Sequence, residues 1–381
     1  MITEQLKRLA KNTFIYGIGQ VLNRFIQFFL LPLFTTYLSP TDYGIISILG
    51  LIIFVVTPLF SLGLGAAVGP CYFEKSQQER KEATIWTAFA IMILTVFILV
   101  IFGTVYSDKI SVLALRTIKY SYLVRLTFWN AGFSIAAIPL ALYLQFEERA
   151  KMFVSITIVS TLISITLSVA MVVIFGRGVY GVVEGSCIGQ GVSFFIFLIV
   201  VAPSISFRIK RDLARDMLRF GIPLIPGFAF LFILQHANRY ILQLTDGLAS
   251  VGIYTIGCNI GMIMSLMVSG FTYAWYPYFM SFMDRQDEAR ILFGRVFTYY
   301  TFIFGSLSLL FYTIAKPVVS LMTQPAFHQA SEVVGLSASA QFLIGIFSLL
   351  LPGIYFAKDV KYISLIQAIA AIASIGLNIM L

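Results

Sequence analysis

Charge is what this sequence has least of. Of its 381 residues 11% are charged, against 59% hydrophobic and a mean hydropathy of +0.92, a balance no soluble core shows. Histidine and cysteine are equally sparse, at two and three. Cys71, Cys187 and Cys258 lie far apart in or beside apolar runs, with no CxxC spacing and only two histidines to join them. That argues against a disulfide framework and against a metal centre. Acidic residues are outnumbered 17 to 26, giving a net charge of +9, which in a soluble protein would suggest nucleic acid. Here the Lys and Arg residues sit in short connectors between apolar runs, as membrane orientation requires, and nucleic acid is not expected. The first apolar run also lacks a small-residue cleavage site. It follows Lys7, Arg8 and Lys11, spans about 25 residues and outlasts a signal-peptide core, so it is read as a retained helix.

What is present is apolar sequence in runs of about 20 to 27 residues, each long enough to cross roughly 30 Å of hydrocarbon as a helix. Lipid cannot satisfy a bare backbone, so the fold class is all-α and polytopic. Helices are predicted at about 14–38, 44–70, 85–106, 120–144, 153–176, 180–202, 218–244, 250–277, 292–315, 334–356 and 362–381. With the N-terminus placed in the cytoplasm, 18 Lys and Arg residues fall in inner connectors and 6 in outer ones, which sets the orientation.

An internal repeat divides the chain. Sliding the second predicted helix 207 residues along lays Gly63 on Gly270 and Pro70 on Pro277. At an offset of 208, Tyr43-Gly44-Ile45 falls on Val251-Gly252-Ile253. Six helices separate the copies, so the halves are parallel repeats about an axis along the membrane normal. The expected organisation is an N-terminal six-helix lobe over 1–205, a cytoplasmic connector over 206–219 and a C-terminal lobe over 220–381. By the repeat the second lobe should run on to about residue 409, so eleven helices are expected with a twelfth missing, as in a fragment or truncated product.

Two polar stripes interrupt the apolar runs. On the first helix Tyr16, Gln20, Asn23, Arg24 and Gln27 share a face about 80° wide; on the seventh Gln235, Asn238, Arg239, Gln243 and Asp246 form another. Asn23-Arg24-Phe25 answers Asn238-Arg239-Tyr240. An arginine at the centre of a spanning helix costs about 2.5 to 3.5 kcal/mol, so two on equivalent helices suggest a shared anionic ligand. A guanidinium stays charged and its fork matches phosphate oxygens, which suits a diphosphate in a water-filled cavity, while Gln and Asn side chains would bind sugar hydroxyls. The alternative is that the arginines snorkel or pair with Glu184 or Asp246. Glu184 is the one carboxylate clearly inside an apolar run and is a candidate for coupling to a proton or sodium ion; the alternative is a mouth residue paired with Arg177. His236 lies off the stripe and is read as packing. Ser337, Gln341, Gly345 and Ser348 share a face that either lines a path or hydrogen-bonds between helices. The glycines of the second and eighth helices serve either as hinges or as close-packing sites.

Lys11-Asn12-Thr13-Phe14 through Asn23-Arg24, Pro32 to Pro40, Asp42-Tyr43-Gly44, Gly252-Ile253-Tyr254-Thr255, Gly270-Phe271 and Ala274-Trp275-Tyr276-Pro277 recur in an order that resembles the polysaccharide transporter branch of the multidrug/oligosaccharidyl-lipid/polysaccharide (MOP) exporter superfamily. That branch holds the O-antigen and capsule repeat-unit flippases of polysaccharide and lipopolysaccharide biosynthesis. The resemblance implies two lobes that rock between inward-open and outward-open states in the bacterial inner membrane. It implies an undecaprenyl-diphosphate-linked oligosaccharide as cargo, no cofactor, and as partners membrane lipid, a coupling ion and a polysaccharide polymerase. Arg24 occupies the place of a first-helix cavity arginine, and Arg239 matches less closely in register. Rival functions are a multidrug or other lipid exporter of the same superfamily, which would favour buried acids, and a membrane glycosyltransferase or polymerase, which would need acids or bases in its outer loops. The longest outer loop, Lys316 to Val333, carries a single acid, Glu332.

Overall fold

The computed structural model describes residues 21–22, 25–26, 28–74, 78–205, 207–280, 282, 286–356 and 361–380, and every regular element among them is helical. Fourteen α-helices follow in order: α1 (Leu31–Tyr37), α2 (Pro40–Phe60), α3 (Leu64–Phe73), α4 (Gln78–Val105), α5 (Ser107–Leu115), α6 (Ser121–Phe146), α7 (Ala150–Val169), α8 (Val179–Val201), α9 (Arg211–Gly221), α10 (Ile225–Gly261), α11 (Ile263–Met280), α12 (Gln286–Met322), α13 (Ser331–Phe356) and α14 (Lys361–Met380). Among the described residues, eight segments are long and apolar enough to cross a bilayer. This is a multi-pass membrane protein of the two-lobed kind expected.

The helix breaks differ from those read in the sequence. The run expected at 44–70 divides into α2 and α3 at Leu62 and Gly63, whose φ angles are 52° and 65°. Pro58 lies inside α2 one turn upstream, where a proline removes a backbone donor and loosens the ladder. The run at 218–244 resolves into α9 and the first part of α10, which breaks at Gly247 (φ 84°, ψ −178°), a conformation open in practice to glycine alone. The loop expected over 316–333 is largely helical: α12 runs to Met322, and a 3₁₀ segment, Pro325–Ala330, leads into α13.

The described chain falls into two compact units. One takes Ile45–Ala237 with the described residues before 28; the other takes Phe28–Gly44 and Asn238 onward. In the first, α8 packs on α7 through Gly185 and Gly189 and on the segment just after α7 through Gly181, the three spaced four apart on one face. A Cβ at Gly181 would lie 2.8 Å from Met171 Cβ, at Gly185 2.6 Å from Ser168 N, and at Gly189 2.8 Å from Ser164 Cα. Small residues at this spacing let helix backbones approach, the usual means of association where lipid gives no hydrophobic drive. In the second, Ile256, Ile260 and Met264 pack with Phe311, Ala315, Val319, Phe327, Val334 and Ala338, while Trp275, Phe279, Tyr300 and Leu349 form a second aromatic core. Gly257 and Gly261 of α10 face α13, where a Cβ would stand 2.6 Å from Ala330 O and Val334 O respectively.

Within that second unit two short segments cross backbone to backbone. A Cβ on Gly44 would overlap the Leu248 carbonyl oxygen, and a Cβ on Gly252 would overlap the Pro40 carbonyl oxygen. Pro40 and Leu248, like Gly44 and Gly252, stand 208 residues apart, so the contact is reciprocal between repeat-equivalent positions.

Candidate functional site

The first-helix stripe, Gln20, Asn23, Arg24 and Gln27, lies outside the described residues. The second stripe is described, on α10 between its start and the break at Gly247. Gln235 is exposed and belongs to the first unit. In the second unit Asn238 is half-buried and donates through its amide to the Tyr254 hydroxyl, while its Oδ1 accepts the Arg239 N–H at 2.9 Å. The Gly247 break folds the chain back, bringing Tyr254, 16 residues on, level with Asn238. Arg239 is itself half-buried, and among the described residues no carboxylate lies within ion-pair distance of it. Asp246, the carboxylate on its own stripe, is exposed and accepts from Thr245 Oγ1 at 2.8 Å. Arg239 is thus a cation in a spanning helix whose own acid points elsewhere, flanked by an anchored amide.

Glu184 is arranged in the opposite way. Lying on α8 and 6% exposed, its Oε1 accepts from the Arg177 guanidinium at 2.8 Å and from the Tyr122 hydroxyl at 3.1 Å. Arg177 stands between Gly176 and Gly178, both left-handed (φ 63° and 53°), a turn that directs it back onto α8. Tyr122 is held by stacking on Tyr180, ring centroids 6.4 Å apart. The second oxygen, Oε2, is buried with no hydrogen-bond partner among the described residues. A buried carboxylate with one oxygen satisfied and one bare can take up a small cation or a proton.

Other singled-out residues pack. The His236 ring sits against Phe54, centroids 4.2 Å apart, and near Phe232 at 6.2 Å. Ser337 Oγ donates to Cys258 O at 3.3 Å, and Ser348 Oγ to Ile344 O at 3.1 Å, while Gly345 admits the Tyr300 hydroxyl. Ser337 and Gly345 on that face of α13 are thus taken up by contacts between helices, and Ser348 bonds within its own helix. No group of three His, Cys, Asp or Glu side chains suited to a metal converges among the described residues.

The connector, expected only as a charged stretch, is an ordered helix. It forms α9, with Leu213 and Met217 fully buried and Arg211, Arg215 and Arg219 exposed on the opposite side. The signal for it lies in the sequence: apolar residues four apart against basic residues four apart make an amphipathic helix.

A family model described as polysaccharide biosynthesis protein matches residues 9–283. The chain belongs to that family. No curated protein matches it. Solved structures share its fold. An inward-facing multidrug resistance MATE family transporter of the MOP superfamily is 12% identical with TM-score 0.65, over 96% of this chain and 88% of that one. An outward-facing transporter of the same description is 15% identical with TM-score 0.58, over 98% and 84%. A MOP superfamily transporter from Pyrococcus furiosus, described as having a binding pocket of reverse polarity that suggests a different function, is 12% identical with TM-score 0.60, over 98% and 94%. The chain thus combines membership of the polysaccharide biosynthesis protein family with the fold of MOP superfamily transporters.

Proposed function

We propose that this polysaccharide-family transporter carries an undecaprenyl-diphosphate-linked oligosaccharide from the cytoplasmic to the outer leaflet of the bacterial inner membrane by alternating access. The observation that carries this reading is Arg239, a cation in a spanning helix with no carboxylate paired to it among the described residues. An intramembrane charge is retained at a cost, and one that is not neutralised by the protein is suited to an anionic ligand. Asn238, anchored by Tyr254, supplies an amide beside it for a sugar hydroxyl. Arg24, with Gln20, Asn23 and Gln27, adds the equivalent stripe in the first lobe, and Gln235 extends the second. The excess of Lys and Arg in alternate connectors supports a cytoplasmic N-terminus.

Pocket polarity separates this reading from drug export. The Pyrococcus furiosus neighbour is described by a reversed pocket polarity and a different function. In the present chain the stripes carry two arginines, Arg24 and Arg239, against one acid, Asp246, which is exposed and bonded to Thr245, whereas a site for cationic drugs would favour acids. Glu184 is the candidate coupling group, through its bare Oε2.

The test is flipping of a labelled undecaprenyl-diphosphate oligosaccharide in proteoliposomes. At position 24 and again at 239, transport is expected to fall from Arg to Lys to Ala, with Glu at or below Ala, while insertion is unchanged. Lysine keeps the charge without the planar fork, alanine keeps neither, and glutamate repels a diphosphate in a low-dielectric cavity. A charge-assisted contact is worth about 1.5 to 3 kcal/mol, so alanine is expected to lose tenfold or more. Full activity in Arg24→Ala and Arg239→Ala would sink the diphosphate reading.

A further inference from the structure

The connector helix α9 is held on the first unit by interactions that leave its basic row free. Leu213 and Met217 are 0% exposed, and Gly221 sits backbone to backbone on the α2–α3 break, where a Cβ would overlap Leu62 O and lie 3.0 Å from Gly63 C. Its N-terminal end is tied by Lys210 N–H, which donates to Thr87 Oγ1 at 3.0 Å. Just upstream Arg208 pairs with Glu79 at 2.7 Å and Phe207 packs on Trp86. On this fixed platform Arg211, Arg215 and Arg219 fall at about 0°, 40° and 80° around the helix and span about 12 Å.

These three arginines, with Asp212, Ala214, Leu218, Ile222 and Pro223, line a cavity of about 1030 Å³. Among the described residues no carboxylate comes within ion-pair distance of any of the three. The cavity is graded along its length. Its guanidinium row lies along α9, with Asp212 beside its first member and Leu218 before its last, and Ile222 and Pro223 cover the end from which the chain runs on into α10.

A ligand matching this grading carries phosphate at one end and hydrocarbon at the other. We infer that the α9 cavity binds anionic membrane phospholipid, its phosphates on Arg211, Arg215 and Arg219 and its acyl chains over Leu218, Ile222 and Pro223. Three guanidiniums along about 12 Å reach further than one compact diphosphate and can serve neighbouring headgroups. The described lining offers no neutral amide or hydroxyl for a sugar, unlike the stripe on α10. With α9 on the cytoplasmic face, as the charge count places it, the row meets the leaflet rich in anionic lipid. This inference does not rest on the cargo proposed above.

The test is native mass spectrometry of the full chain in detergent with equimolar phosphatidylglycerol and phosphatidylcholine. The wild type is expected to retain phosphatidylglycerol preferentially, and each Arg→Gln change at 211, 215 or 219 to lower that preference about fivefold at low salt. The triple lysine variant is expected to stay within about twofold of wild type, because a headgroup needs charge more than a planar fork. Should a glutamine variant not insert, Arg215→Glu, an exposed single change, is expected to lower the preference by itself. An unchanged lipid ratio in the glutamine or glutamate variants would overturn the inference. So would loss of preference in the lysine variant, or retention of undecaprenyl diphosphate in place of phosphatidylglycerol at these arginines, which would mark a cargo entrance instead.

Discussion

The segments 40–70 and 248–277 share Gly44/Gly252, Gly63/Gly270 and Pro70/Pro277 by repeat, yet the structure uses the shared positions differently. Gly44 and Gly252 do the same work, since each admits the backbone of the other's segment, Leu248 against Gly44 and Pro40 against Gly252. Gly63 and Gly270 do not. Gly63 is left-handed at φ 65° and sits where the α2–α3 break meets Gly221, whereas Gly270 lies inside α11, where a Cβ would meet nothing within 4 Å. The second copy breaks instead at Met262, between α10 and α11, eight residues before Gly270. Repeat-equivalent glycines thus need not do equivalent work: Gly44 and Gly252 each meet a backbone, whereas of the other pair only Gly63 does. Where only a bend is needed, its place shifts with the local partner, and α9 is the partner present at Gly63.

The largest expected effect breaks the symmetric half of this comparison. Gly44→Ala and Gly252→Ala each put a methyl group onto a backbone carbonyl that no rotamer change can move. Each is expected to cost about 3 kcal/mol, at the upper end of overpacking, and to remove most of the monodisperse protein in fluorescence-detected size exclusion. Because the contact is reciprocal, the two losses should match. A normal profile from either variant would show that the crossing is looser than its geometry indicates.

The asymmetric half predicts effects of opposite sign. Gly63→Ala places a side chain on a left-handed residue, at about 1 to 2 kcal/mol, and also against the Gly221 carbonyl. Gly270→Ala adds a methyl to open space within a helix and is expected to stabilise by about 0.5 to 1 kcal/mol. Thermal unfolding in one detergent compares them directly, and equal shifts would mean the copies bend alike.

What the sequence made legible followed from constraints that act locally. A bilayer demands length, so the spans could be read from runs of apolar residues, and an arginine inside such a run identified itself. The breaks at Gly63 and Gly247 were harder, because each depends on what the chain meets there: Gly221 in one case, the fold-back onto Tyr254 in the other. The same division holds at the candidate site. Arg177 and Glu184 are only seven residues apart, so their pairing is an alternative the sequence itself offers. Tyr122, 62 residues away, shares that carboxylate through the tertiary packing of α6 on α8 and left no mark in the local pattern. The reciprocal crossing was half visible, since the offset of 208 aligned the glycines without showing that they meet.

The smallest expected effect concerns the intramembrane carboxylate of the first unit, Glu184, and its partner Arg177. Removing either member of the Glu184–Arg177 pair deletes the same ion pair, but what remains differs. After Glu184→Gln the group left behind is a guanidinium whose side chain is 49% exposed and which water can solvate. That change is expected to cost no more than about 1 kcal/mol, the range of a partly screened pair. After Arg177→Gln a carboxylate at 6% exposure keeps the Tyr122 hydroxyl as a donor but loses its counter-charge, and the stability loss is expected to be the larger of the two. Transport sharpens the test, because the coupling proposal makes Glu184 the group that takes up a proton or sodium ion. Glu184→Gln should therefore flatten the dependence of flipping on an imposed ion gradient, while Arg177→Gln lowers stability and leaves a dependence to measure. Equal stability losses in thermal unfolding, together with an unchanged ion dependence in Glu184→Gln, would reduce the pair to a structural contact at the end of α8.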